Sequence, residues 1–187
     1  MRKINYFGLV LLFAFLISVF SCNKSDTTET TTTTVGPNVF NGSISIYSKG
    51  NDTTLLRFLN GKYNTIQGSL LLATTDLIDY KKYFGNLQMV KGSVTLYKIP
   101  NADLSFLSTV RSVAGNFQVT SCPELTSFSG LTNLDSLVSS IIVERNPKLR
   151  NFAGLERILT VSGLTATANP ALISFTGLNN LTTLTTS

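Results

Sequence analysis

Apolar residues return along most of this 187-residue chain at intervals of 23 or 24 residues, in step with Pro100, Pro123, Pro147 and Pro170. After the last three prolines the pattern is nearly literal. Leu125, Phe128, Gly130, Leu131, Leu134 and Leu137 are followed one period later by Leu149, Phe152, Gly154, Leu155, Ile158 and Val161. Leu172, Phe175, Gly177, Leu178, Leu181 and Leu184 come one period after that. A unit this short cannot bury its own apolar side, so the units must stack and share one continuous core.

Eight residues before each proline stands a small residue, Gly92, Gly115, Ser139 or Ser162, and Gly42 and Gly68 extend that series upstream. About six coils follow. The second and fourth positions after each small residue are mostly apolar: Ile44 and Ile46, Leu70 and Leu72, Val94 and Leu96, Phe117 and Val119, Ile141 and Val143, Leu164 and Ala166. That alternation predicts one strand per coil with these side chains inward. Proline shortly after the strand marks a turn, since it cannot donate to a central ladder. The rest of each coil repeats every three residues, as in Leu131, Leu134 and Leu137, which suits a 3₁₀-like or extended arc better than a long helix. Six strands about 4.8 Å apart would stack to roughly 25 Å.

The run Val113, Gly115, Phe117 and Val119, followed by Leu125, Phe128, Leu131 and Leu134, resembles the receptor L domain, a leucine-rich β-solenoid. Similar repeats occur in bacterial surface lipoproteins, and the resemblance covers residues 42–187. Cys122, Asn146 and Asn169 also sit where leucine-rich repeats place an Asn or Cys ladder. The resemblance implies an all-β-leaning solenoid, a right-handed β-helix of about six coils occupying 39–187, and extracellular recognition as its role. The cysteines that cap receptor L domains have no counterpart here, and fold analogy by itself says little about activity.

Arg2 and Lys3 precede an apolar stretch from Phe7 to Phe20, and Ser21 and Cys22 follow at once. A stretch of fourteen residues falls short of the roughly 20 that span a bilayer, and the layout is that of a signal peptide over 1–21. Val19, Phe20, Ser21 and Cys22 resemble a lipobox of the type used by Bacteroidota lipoproteins. That resemblance implies lipidation of Cys22 and a lipid-anchored location at the outer membrane or cell surface, held by several acyl chains. The threonine-rich stretch over 22–38 has too little apolar surface to order itself and is expected to be a tether.

Composition narrows the chemistry. Removing Arg2 and Lys3 from fifteen basic residues leaves thirteen against ten acidic ones, a mature net charge of +3. Nucleic acid is not an expected partner at so mild and scattered a charge. With Cys22 lipidated, Cys122 has no disulfide partner, and its ladder position predicts a buried, inert thiol. The chain contains no histidine, so the commonest general base and metal ligand are both missing. The acids are dispersed; Asp76 and Asp79 fall beside Lys81 and Lys82, where a surface ion network is the expected role. No enzymatic activity, metal site or cofactor is expected.

A binding surface is the remaining class. The outward strand positions form two columns: Ser45, Leu71, Thr95, Gln118, Ile142 and Thr165, then Tyr47, Ala73, Tyr97, Thr120, Glu144 and Thr167. Tyrosine, amide and hydroxyl groups on a rigid sheet suit protein or glycan recognition, and Tyr47, Tyr97, Gln118, Glu144 and Arg145 are the candidate residues. The expectation is a membrane-anchored, non-catalytic binding or adhesion module; the alternative is a structural stalk or spacer of the cell envelope with no ligand of its own. With only Thr185, Thr186 and Ser187 after Leu184, the last coil is expected to be uncapped: either the repeat array is truncated there or that end pairs with another chain, and self-association or poor solubility is the expected result.

Overall fold

The computed structural model describes residues 38–48, 55, 58 and 62–184. The expected signal peptide, Cys22 and nearly all of the threonine tether lie outside the described residues, as do 185–187. What is described is a β-solenoid of about six turns built from parallel strands.

The long strands are β2 (Ile44–Ile46), β4 (Leu70–Leu72), β6 (Val94–Tyr97), β8 (Phe117–Thr120), β10 (Ser140–Glu144) and β12 (Gly163–Thr167). They form one six-stranded sheet, each pairing in parallel with its counterpart one coil away. Register puts Ile44, Leu70, Val94, Phe117, Ile141 and Leu164 in one inward column, and Ile46, Leu72, Leu96, Val119, Val143 and Ala166 in another. All are buried except Leu164 and Ala166, whose outer neighbour strand is absent among the described residues.

A second sheet, which the alternation pattern does not reveal, runs along an adjoining side. Its strands are two residues long: β1 (Val39–Phe40), β3 (Thr65–Ile66), β5 (Met89–Val90), β7 (Ser112–Val113) and β9 (Ser136–Leu137). A separate pair, β11 (Thr160–Val161) and β13 (Thr183–Leu184), follows the same plan. Leu137, Val161 and Leu184 therefore belong to strands, where the three-residue spacing had placed them in an arc. The described parts of the arcs are turns, among them a 3₁₀ turn at Ser105–Leu107 and a short helix, α1 (Lys81–Phe84). Among the described residues no helix is long and apolar enough to cross a membrane.

Side-chain ladders fasten the coils at both ends of the long strands. Before the strand, Ser43 accepts from the Ser69 N–H (2.9 Å), Ser69 from Ser93 (3.0 Å), Ser93 from Asn116 (3.1 Å), and Asn116 from Ser140 (3.1 Å). After the strand, Asn169 Oδ1 accepts from the Asn146 N–H and Asn146 Oδ1 from the Cys122 N–H, both at 2.9 Å. Between the strand and this second ladder, Lys98, Ser121, Arg145 and Ala168 all adopt φ near +55°, a left-handed conformation uncommon for residues with a side chain. Lys98, Ser121 and Arg145 each donate their N–H to the next coil, to Thr120, Glu144 and Thr167. Inter-coil bonding thus offsets the local strain.

The phenylalanines of the repeat stack. Phe128 and Phe152 lie 5.6 Å apart with planes 3° from parallel, and Phe152 and Phe175 lie 5.5 Å apart at 13°. Phe175, in the last described coil, keeps 58% of its surface exposed. The opposite end differs, since Phe40, Phe58 and Tyr63 pack there with centroids 4.9 to 5.5 Å apart.

Candidate binding face

Outward columns of the long sheet align as the repeat spacing predicts. Ser45, Leu71, Thr95, Gln118, Ile142 and Thr165 are direct cross-strand neighbours in sequence of coils. So are Tyr97, Thr120, Glu144 and Thr167. Parallel strands hold such neighbours about 4.8 Å apart, so Tyr97 and Glu144, separated by Thr120, are about 10 Å apart.

Three of the five candidate residues meet here. Tyr97 is 38% exposed, with the Lys98 ammonium 5.0 Å from its ring centroid. Gln118 donates through Nε2 to the Thr120 hydroxyl at 3.3 Å, which orients the amide across the face. Thr120 itself is only 8% exposed, so this outward position serves the face through its hydroxyl. Glu144 is half-buried at the end of β10. Tyr47 lies further along the same side, one residue beyond β2, with Ala73 one coil on and Tyr97 two coils on; at 66% exposure its ring is available for stacking. Arg145 does not share the sheet surface. It occupies the left-handed turn, exposed on the same rim as Lys98.

This face can stack aromatic rings on a planar partner and hydrogen-bond neutral polar groups, with two cations along one rim. Among the described residues no three acids or cysteines converge as metal ligands. Ion pairs are peripheral and link coils or turns: Glu124 with Lys148 at 2.6 Å, Asp135 with Arg157 at 3.6 Å, and Asp79 with Lys82 at 3.6 Å.

Two polar features were missed in the sequence. Around α1, a cavity of about 510 Å³ is lined by Leu55, Leu77, Tyr80, Tyr83, Asn101 and Phe106 among others. Tyr80 Oη and Asn101 Oδ1 are buried there without a hydrogen-bond partner. A second cavity, near β1, β3 and β5, is lined by carboxamides. A periodic signal existed for it: Asn38, Asn64 and Gln88 each stand four residues before Gly42, Gly68 and Gly92.

Cys122 is buried with its thiol 3.7 Å from the Leu96 carbonyl and 3.6 Å from that of Thr120. Burial pushes this thiol up to about 11, the neighbouring backbone bonds pulling the other way. Burial likewise pushes the Tyr80 phenol up to about 12, with Asp76 and Cys122 adding smaller effects. Both groups hold their protons more tightly folded than unfolded, where values near 8.5 and 10 apply. Their contribution to stability is therefore complete below about pH 8.5 and is lost as pH rises through 11 to 12. Thermal melting should be insensitive to these groups from pH 6 to 8 and fall above pH 9, less steeply in Cys122→Ala and Tyr80→Phe. An alkaline slope in both variants equal to the parent's would remove these groups as the cause.

Comparison of the chain with protein-family models, with curated proteins and with solved structures finds no match in any of the three.

Proposed function

We propose that the chain is a lipid-anchored lipoprotein whose receptor-L-like solenoid is a non-catalytic binding or adhesion module for protein or glycan at the outer membrane or cell surface. The observation that carries this reading is the register of Tyr97, Thr120 and Glu144 with Gln118 alongside, a row of aromatic and polar groups at fixed spacing on one parallel sheet. Rigid presentation lowers the ordering cost of binding, because the side chains are already spaced before a partner arrives. The lipobox-like Cys22 and the threonine tether support the location: such an anchor would hold the sheet away from the membrane while leaving it free to engage a partner.

The same ladders that bond successive coils would also serve a spacer, so the test separates the two. Cells carrying the full chain are assayed for adherence to immobilised protein and polysaccharide, with protease shaving of intact and lysed cells to locate the domain. Adherence should fall at least tenfold in a Tyr97→Ala, Gln118→Ala double variant that is shaved as readily as the parent. Undiminished adherence in that variant would reject the face as the contact surface. A parent chain without adherence, whose effects follow its length alone, would make it a stalk, and protection from protease until lysis would rule out adhesion altogether.

A further inference from the structure

We infer that the carboxamide-lined groove beside the short-strand sheet is a second binding site, one that takes a short segment of neutral polysaccharide. It is separate from the long-sheet face, and its lining residues are Asn38, Lys62, Asn64, Asn86, Gln88 and Thr109.

Backbone pairing builds the groove. The Asn38 carbonyl accepts from the N–H groups of Asn64 (2.8 Å) and Thr65 (3.3 Å), and the Asn64 carbonyl from those of Gln88 (2.7 Å) and Met89 (3.1 Å). Gln88 in turn accepts from Arg111 at 2.8 Å. Asn38, Asn64 and Gln88 are thereby locked in a rank, one per coil, at the strand spacing of about 4.8 Å. Lys62, Asn86 and Thr109 line the same space, Lys62 lying with its ammonium 5.3 Å from the Tyr63 ring centroid. Thr109 donates its hydroxyl proton to the Leu87 carbonyl at 2.7 Å, so the oxygen that remains is an acceptor. The Thr65 hydroxyl donates to Asn64 Oδ1 at 3.0 Å, and the amide NH₂ is therefore what Asn64 offers a ligand.

The lining selects the ligand class. Four carboxamides carry both donors and acceptors, and adjacent sugar hydroxyls match that pairing. The groove has no carboxylate to hold a cation, and one ammonium is too little for a polyanion. It has no apolar lining residue to receive the side chains through which an extended peptide would be selected. At about 520 Å³ it falls within the roughly 300–1,000 Å³ usual for small-ligand sites. Its open, solvated walls predict weak affinity per site, because flexible amide side chains lose rotamer freedom on binding.

The test presents the full chain to an array of neutral oligosaccharides beside acidic ones, with Asn64→Ala, Gln88→Ala as the groove variant, Tyr97→Ala as the face variant and Arg157→Ala, outside both, as the control. Circular dichroism melts confirm that each is folded; Gln88→Ala alone, at an exposed site, replaces the double variant if Asn64→Ala destabilises it. Neutral glycans should bind the parent and Arg157→Ala alike, with at least a tenfold loss in the groove variant. Neutral binding that survives in the groove variant but disappears in Tyr97→Ala would overturn the inference and assign the glycan to the long-sheet face. Binding of acidic glycans only, or of none, would also overturn it, while the proposed adhesion function would still stand or fall on its own assay.

Discussion

Replacing Asn146 with alanine should cost the solenoid about 3–5 kcal/mol, because the change strands several buried polar groups at once. Asn146 is fully buried. Its Nδ2 donates to the Val119 carbonyl at 3.0 Å and to Asn169 Oδ1 at 3.2 Å, while its Oδ1 accepts the Cys122 N–H at 2.9 Å. Alanine would leave the Cys122 N–H and the Val119 carbonyl without their partner in a dry core, each loss worth about 1–3 kcal/mol. Asn180 provides the comparison, since it donates to the Glu156 carbonyl at 2.8 Å in an exposed setting where water can substitute. Asn180→Ala should cost under about 1 kcal/mol. Because stacked repeats are stabilised by nearest-neighbour interfaces, the damage should concentrate around coils four to six. Hydrogen exchange should show β10 and β12 losing protection before β2 and β4. Equal urea midpoints for Asn146→Ala and Asn180→Ala would disprove a structural role for the ladder.

Gly154→Ala should be of comparable severity, for a backbone reason. Gly154 has φ +110°, and a Cβ there would run into the Phe128 carbonyl of the preceding coil. That carbonyl belongs to backbone held by the stacked Phe128 and Phe152 rings, so relief requires the coils to separate. The conformation is itself strained for any residue with a side chain, at about 1–3 kcal/mol before the clash is counted. A total loss above about 3 kcal/mol, or failure to fold, is expected. Gly163→Ala is the contrast: there the nearest obstacle is the Ser140 side chain at 2.9 Å, which has a rotamer to move to. Alanine at 163 should cost under about 1 kcal/mol. If Gly154→Ala melted with Gly163→Ala, the close approach of the coils at Phe128 would be refuted.

Both predictions rest on positions that stand out in the sequence, yet the reasons behind them were unequally visible there. Gly130, Gly154 and Gly177 recur two residues after a phenylalanine, which marks a turn; that each one rests on the chain of the coil before it emerges only when the coils are stacked. Asn146 and Asn169 were recognisable as ladder residues through the resemblance to leucine-rich repeats. The serine ladder at the other end of the strands was not, because serine beside glycine is ordinary turn composition. Two-residue strands such as β9 and β11 are too short to display an alternation, so Leu137 and Val161 passed for members of an arc.

The candidate face divides in the same way. Its two columns were legible because side chains alternate along a strand and coils of nearly equal length keep like positions abreast. Arg145, adjacent to Glu144 in the chain, would point inward in a continued strand; the strand ends at Glu144 and Arg145 stands instead in an exposed turn at φ +54°. Thr120 proved almost fully buried under its neighbours.

The sequence by itself determined the coil, its period, its inward side chains and the alignment of the long strands, since these follow from alternation and repeat length. Tertiary structure alone decided the second sheet, the left-handed turns, the serine ladder, the carboxamide groove and the exposed Phe175. Each of those depends on which residue of the neighbouring coil lies opposite, and a polar residue's role is set by that partner rather than by its place in the chain.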